Sequence, residues 1–249
     1  MTWSIVAKDR ETGLFGLAIA SRFFAVGALC PWAEGGVGAV CTQAMMNPTL
    51  GPRGLALLRE GLHAPDVRDI LIAGDKGRAR RQLHLIDAAG RTAAHTGESC
   101  TDWCGHLAGD GISVAGNMLA GPEVVAETVA AYEVNVKQPI VERLIAAMKA
   151  GEVAGGDKRG KQSAALLIQG AEPYPRLSLR VDDHPDPLAE LIRHYEVAKE
   201  NFIPFSTAFP RPEQPYGITD RAFLETIVER EAGKPLAGEM PVPERQRNS

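Results

Sequence analysis

Aromatic side chains make up only 6% of the 249 residues, which disfavours an aromatic-rich binding module. Charge of one sign is lacking as well. Lys and Arg number 27 against 31 Asp and Glu, a formal net charge of −4, so the chain carries no electrostatic footprint for nucleic acid. No apolar run approaches the roughly 18 residues that a membrane span needs. The opening Met1-Thr2-Trp3-Ser4-Ile5-Val6 has neither a basic segment nor a long apolar one, so no signal peptide, no membrane partner and a cytoplasmic location are expected. The four cysteines (Cys30, Cys41, Cys100, Cys104) fit neither a zinc-finger nor a CxxC spacing. Cys100 and Cys104 lie close in sequence to His95 and His106, but at no standard ligand interval, and Asp182-Asp183-His184 offers three adjacent ligands that rarely converge. No metal and no organic cofactor are therefore expected; a metallohydrolase using the His95, Cys100, Cys104 and His106 set is a third reading. What the chain does have is 26 glycines and many alanines in a composition 45% hydrophobic. Small residues let strands and helices approach closely, as in a layered α/β domain, and a chain of this length can bury about 70–75% of its unfolded surface without a staple.

The pattern along the chain groups strands in pairs. Residues 2–7 and 14–21 flank the turn Asp9-Arg10-Glu11-Thr12-Gly13, a hairpin whose second strand lacks polar alternation and is expected to be covered on both faces. Residues 35–44 form another buried strand, followed by helices at 54–59 and 65–73. A hairpin at 83–86 and 92–95 turns on Asp87-Ala88-Ala89-Gly90, and a strand at 111–115 leads into a Gly116-Asn117 turn. Helices at 123–134 and 139–150, a charged loop at 151–160, strands at 163–168 and 177–181, and a helix at 187–199 complete a domain over residues 1–200. Residues 201–249 are proline-rich with room for one short helix at 220–231, an extension expected to wrap the core or a partner subunit, its last dozen residues mobile. Strand groups separated by helix pairs predict an α+β fold of two antiparallel sheets between helical layers, a four-layer αββα sandwich.

Six strings in order carry a resemblance over residues 2–200. They are Thr2-Trp3-Ser4-Ile5-Val6-Ala7, Ala20-Ser21-Arg22-Phe23-Phe24-Ala25-Val26-Gly27, the Asn47-Pro48 to Gly51-Pro52-Arg53-Gly54 stretch, Gly116-Asn117-Met118-Leu119-Ala120-Gly121-Pro122, residues 155–165 and Arg180-Val181-Asp182-Asp183-His184-Pro185. The chain resembles the bacterial family named domain of unknown function 1028. That family is grouped by resemblance with the N-terminal nucleophile (Ntn) hydrolases, which implies the αββα fold and, by analogy alone, an amidase chemistry.

In that chemistry the first residue is the nucleophile and its own α-amine is the base. A free α-amine titrates near 7.7–8.0, so it can take the hydroxyl proton near neutral pH. Thr2 follows a removable Met1 and is the expected nucleophile. The match to proteasome-type subunits departs at three points: a gapless hairpin alignment puts Ser4 at the nucleophile position, Ala20 stands where they carry an Asp, and residues 35–44 contain no lysine. Asn117, in the Gly116-Asn117 turn, is the expected oxyanion donor. Asp157 and Lys161 are expected to tune the amine, and Ser163, Gln162, Ser4 and Arg22 to bind substrate, Arg22 by clamping a carboxylate. Cys41 has no histidine near it in sequence and is not read as a nucleophile. The expected substrate is a small amide or short peptide, and the expected assembly a homo-oligomer, dimer or higher. The rival reading is a non-catalytic Ntn-fold scaffold that binds a ligand or assembles as an oligomer.

Overall fold

The computed structural model describes residues 2–238. Among these, strands β1 (Thr2–Lys8), β2 (Phe15–Ser21), β3 (Pro31–Glu34), β4 (Gly38–Ala44), β5 (Arg81–Asp87), β6 (Thr92–Thr96), β7 (Trp103–Gly109), β8 (Ile112–Leu119), β9 (Ser163–Gln169) and β10 (Leu177–Val181) form two antiparallel sheets. One is six-stranded in the order β10-β9-β2-β1-β8-β7, the other four-stranded in the order β3-β4-β5-β6.

Strand periodicity decides what each face covers. In β1, Trp3, Ile5 and Ala7 point outward and join a core with Val124 and Val125 of α3 (Glu123–Val134), Leu144 and Met148 of α4 (Ile140–Val153), and Leu191 and Tyr195 of α5 (Pro187–Glu200). Val40, Leu83 and Leu85 on the outer face of the smaller sheet pack on α1 (Leu50–Arg59) and α2 (Ala64–Ala73). Between the sheets lies a third cluster containing Val6, Phe15, Leu17, Ile19, Ala39, Cys41 and Ile86. Helices, sheet, sheet, helices: the four-layer αββα sandwich is present. As expected, β2 is buried at every position. Gly16 lets α4 lie directly on it, since a Cβ there would fall 2.7 Å from Leu144 Cδ1.

Three segments differ from the sequence reading. Strands β3 and β7 are additional edge strands, short or largely exposed, with little apolar patterning to announce them. Gly116 and Asn117 do not form a turn. They lie inside β8, paired with Trp3 and Thr2 of β1, and the backbone departs from strand geometry one residue later, at Met118 with φ 55°. Residues 151–153 are the last turn of α4, and α1 begins at Leu50.

After residue 200, α6 (Phe202–Ser206) and α7 (Arg221–Glu231) pack together. The chain then returns to the main body. Leu236 is buried in the outer core, its N–H donating to Tyr195 Oη at 3.3 Å, while the Arg176 guanidinium donates to the carbonyls of Ala237 and Gly238. The expectation for the final dozen residues falls almost wholly outside the described residues.

Candidate active site

Sheet register gathers most of the expected site residues at one rim of the sandwich. Thr2 opens β1 and pairs with Ser21, the last residue of β2, and with Asn117 near the end of β8. Ser21 in turn pairs with Ser163, the first residue of β9. Thr2 Oγ1 lies 3.1 Å from Ser21 Oγ, with both residues buried. Two cavities are bordered by neighbours of Thr2, which itself lines neither. One of about 160 Å³ is bordered by Trp3, Ser21, Asp157 and Lys161; the other, of about 340 Å³, by Ala44, Met45, Arg80, Cys100, Asn117 and Met118 among others.

A ladder of side-chain amides runs beneath this rim. Asn117 Nδ2 donates to Gln82 Oε1 at 3.0 Å and to the Thr2 carbonyl at 3.4 Å. Gln43 Nε2 donates to Gln82 Oε1 at 2.7 Å and to the carbonyl of Ala115. Gln82 Nε2 donates to Gly116 O, Gly105 O and Thr96 Oγ1. These bonds tie the two sheets together where apolar packing gives out.

Ser4 sits one step deeper. Its hydroxyl donates to Gln43 Oε1 at 2.7 Å and lies 2.8 Å from His84 Nε2, whose Nδ1 is 3.1 Å from Ser113 Oγ. A serine beside an imidazole has the outline of a nucleophile and base, but Ser4, His84 and Ser113 are all at most 1% exposed. Burial, with a smaller contribution from His106, pushes the His84 imidazole down to about 3. It is a neutral linker between the sheets.

The charged loop is held by its own pairs. Asp157 accepts the backbone N–H groups of Arg22 at 2.7 Å and Arg159 at 2.8 Å, so its carboxylate fixes the turn that follows Ser21. Lys161 Nζ meets Glu152 at 2.8 Å and Asp186 at 3.6 Å. Partial burial disfavours its charge, but these two carboxylates outweigh that and raise its pKa. Arg22 donates to the Lys161 carbonyl, Ser163 Oγ to the Phe23 carbonyl, and Gln162 to Asp183.

The thiols are quiet. Burial raises Cys30 and pushes Cys41 to about 12, and it raises Cys100 and Cys104 as well. His95 is directed at the Arg78 carbonyl and His106 at Thr96 Oγ1, so the His–Cys set does not converge. Among the described residues no group of three or more His, Cys, Asp or Glu is arranged to hold a metal ion.

Sequence reasoning missed Ser21, Gln43, Gln82, His84 and Ser113. A signal was present: Gln43 and Gln82 are polar residues in strands that are otherwise almost wholly buried. Arg80, at the end of a 3-10 turn, and Ser99 and Thr101, which border the same cavity, gave none.

The architecture is thus an αββα sandwich with a polar, cavity-bearing rim at the start of its first strand. The chain belongs to the family of unknown function DUF1028, whose model matches residues 2–191. It is similar to protein SPO2555 from Silicibacter pomeroyi, a crystal structure assigned to DUF1028, with 32% identity, coverage of 88% of this chain and 96% of that one, and a TM-score of 0.82. Anbu (ancestral β-subunit) from Yersinia bercovieri aligns over 84% of this chain and 98% of its own at 11% identity and a TM-score of 0.37. No curated protein matches the chain. Among the described residues no helix is long and apolar enough to cross a membrane.

Proposed function

We propose that the protein is an Ntn-type hydrolase that cleaves a small amide or short peptide bond, with Thr2 as nucleophile after removal of Met1. The observation that supports this most is the position of Thr2: first in β1, its hydroxyl on Ser21, and its strand neighbour Asn117 bordering a cavity of about 340 Å³. Thr2 Oγ attacks the amide carbonyl while its proton passes to the α-amine. The tetrahedral intermediate collapses to an ester on Oγ as the α-ammonium returns that proton to the departing amine. Water then cleaves the ester, releasing the acid and restoring the hydroxyl.

Ser21 orients the Thr2 hydroxyl. Asn117 donates one amide hydrogen to Gln82 and the other, through a long 3.4 Å bond, to the Thr2 carbonyl; when substrate binds, the second leaves that carbonyl for the oxyanion, an interaction worth about 3 kcal/mol in comparable sites. Asp157 acts as a positioning residue: it holds the Arg22 N–H, and so the turn that carries Ser21. Lys161 anchors the same loop through Glu152 and Asp186, and Ser163 and Gln162 shape its return. A homo-oligomer in the cytoplasm remains part of this reading.

The rival reading, a non-catalytic ligand-binding member of the same fold, is favoured by one observation. Ala20 and the lysine-free β4 supply no charged group to the Thr2 hydroxyl. Intact mass of the purified chain, followed by quenching with an activated N-acyl amino acid ester and peptide mapping, separates the two. The hydrolase reading expects Met1 absent and an acyl group on Thr2. Retained Met1, or acylation unchanged in Thr2→Ala, rejects it.

A further inference from the structure

The cavity beside Asn117 has an unbalanced charge. It is lined by Ala44, Met45, Arg80, Ser99, Cys100, Thr101, Asn117 and Met118, with no carboxylate among them. Arg80 ends the short 3-10 turn Arg78–Arg80 and is exposed at the mouth. Its two candidate competitors are already engaged. The neighbouring Arg81 guanidinium is bound to Asp75 at 3.0 Å and to the Met45 carbonyl, and Asp102, the acid next to Thr101, is paired with Lys158 at 2.5 Å. Among the described residues no acid pairs with Arg80, and the hydroxyls of Ser99 and Thr101 have no protein partner. Met45 and Met118 supply apolar wall. Ala44 and Met118 at φ 66° and 55° are strained positions for side-chain-bearing residues, and both border this cavity.

A lone guanidinium over an apolar wall with free hydroxyl donors fits a planar anion with a short apolar body. We propose that this cavity binds the carboxylate of an N-acylated amino acid or of a short peptide's C-terminus, with Arg80 as the anion-binding residue and the amide directed toward Asn117 and Thr2. This rests on the hydrolase reading for the direction of the amide, but the anion site itself does not depend on turnover. Arg22, which the sequence offered for a carboxylate, donates instead to the Lys161 carbonyl.

The test uses the full chain carrying Thr2→Ala and compares N-acetylalanine with its uncharged amide, N-acetylalaninamide, by ligand-observed NMR and titration calorimetry. The carboxylate is expected to bind about tenfold or more tighter than the amide, as a charge-assisted pair implies. Arg80→Ala should erase that preference and Arg80→Lys should keep part of it. Arg78→Ala, which removes the same charge two residues away from a side chain that does not line the cavity, should leave it intact. Equal binding of the two compounds, no saturable binding of either, or a preference that survives Arg80→Ala overturns the proposal. Carboxylate binding that depends on Arg80, without acylation of Thr2 in the natural chain, would sustain the anion site and reject the hydrolase reading.

Discussion

The layer between the two sheets has two halves that obey opposite rules. One half is Val6, Phe15, Leu17, Ile19, Ala39, Cys41 and Ile86, packed without a polar side chain from those positions. The other half, a few residues along the same strands and the adjoining β8, is Thr2, Ser4, Ser21, Gln43, Gln82, His84, Ser113 and Asn117, also buried and all polar. Burying an amide or hydroxyl without a partner costs about 1–3 kcal/mol, so the polar half survives only because its members bond one another across the gap. The apolar half stabilises the sandwich. The polar half fixes a geometry, and that geometry ends at the rim where Thr2 stands.

The largest effect should come from the rim itself. Thr2→Ala should lower turnover of an N-acyl amide by on the order of 10⁴-fold while thermal unfolding stays close to that of the natural chain, because only one methyl group and the hydroxyl's contact with Ser21 are removed. Turnover that persists would move the chemistry away from Thr2. In the apolar half the pattern should reverse. Leu17→Ala, at 2% exposure, should cost about 3 kcal/mol of unfolding free energy by transfer and cavity formation, read by denaturant titration. Catalysis per folded molecule should barely change. If Leu17→Ala instead abolished turnover in a folded protein, the division between the two halves would fail.

The two halves were also unequally legible. Apolar runs such as residues 14–21 announce a strand covered on both faces, and the helices at 123–134 and 187–199 follow from their periodicity within a residue or so. Gly116-Asn117 misled because that dipeptide has turn composition, whereas pairing of β8 with β1 on one side and β7 on the other overrides the local preference. The edge strands escaped for a different reason. β7, with Gly105, His106 and Gly109 along an exposed edge, buries too little to impose a pattern. From the expected αββα fold, Thr2, Asn117 and Lys161 could be placed at one rim, although Asn117 and Lys161 border separate cavities there. The partners they need could not: Ser21 and Gln82 become neighbours of Thr2 and Asn117 only once register and sheet stacking are set, and neither leaves a trace in spacing.

Acid should reach the polar half before the apolar one. His84 is held near 3 in the folded chain against an ordinary 6.5, chiefly by burial. Between those values the unfolded chain binds one more proton than the folded chain. Stability therefore rises with pH across the window and is lost as pH falls from about 6.5 toward 3, by up to roughly 1.4 kcal/mol per pH unit. His84→Gln should lower stability at pH 7, since Ser4 and Ser113 lose a fitted partner, and should flatten this part of the pH profile. An unchanged slope would show that His84 is protonated or exposed in the folded state.

The smallest effect is expected at Lys161, and it sharpens the boundary of the polar half. Its Nζ lies between Glu152 and Asp186 with a side chain 38% exposed, so the pair is a partly solvated one. Such pairs contribute about 0–1 kcal/mol, because water screens the attraction and two long side chains lose freedom in making it. Lys161→Ala should therefore shift the unfolding free energy by no more than about 1 kcal/mol. The informative readout is the pH dependence of kcat/KM on an N-acyl amide. If Lys161 only anchors the loop, the variant changes KM through a looser turn after Ser21, and the midpoint of the acidic limb, where protonation of the Thr2 α-amine removes the base, stays where it is. A positive charge acting on that amine would instead depress its pKa, and removing the charge would move the midpoint upward. A midpoint that shifts up in Lys161→Ala but not in Glu152→Gln would place Lys161 among the groups that tune the nucleophile; an unmoved midpoint leaves the polar half ending at Ser21 and Asn117.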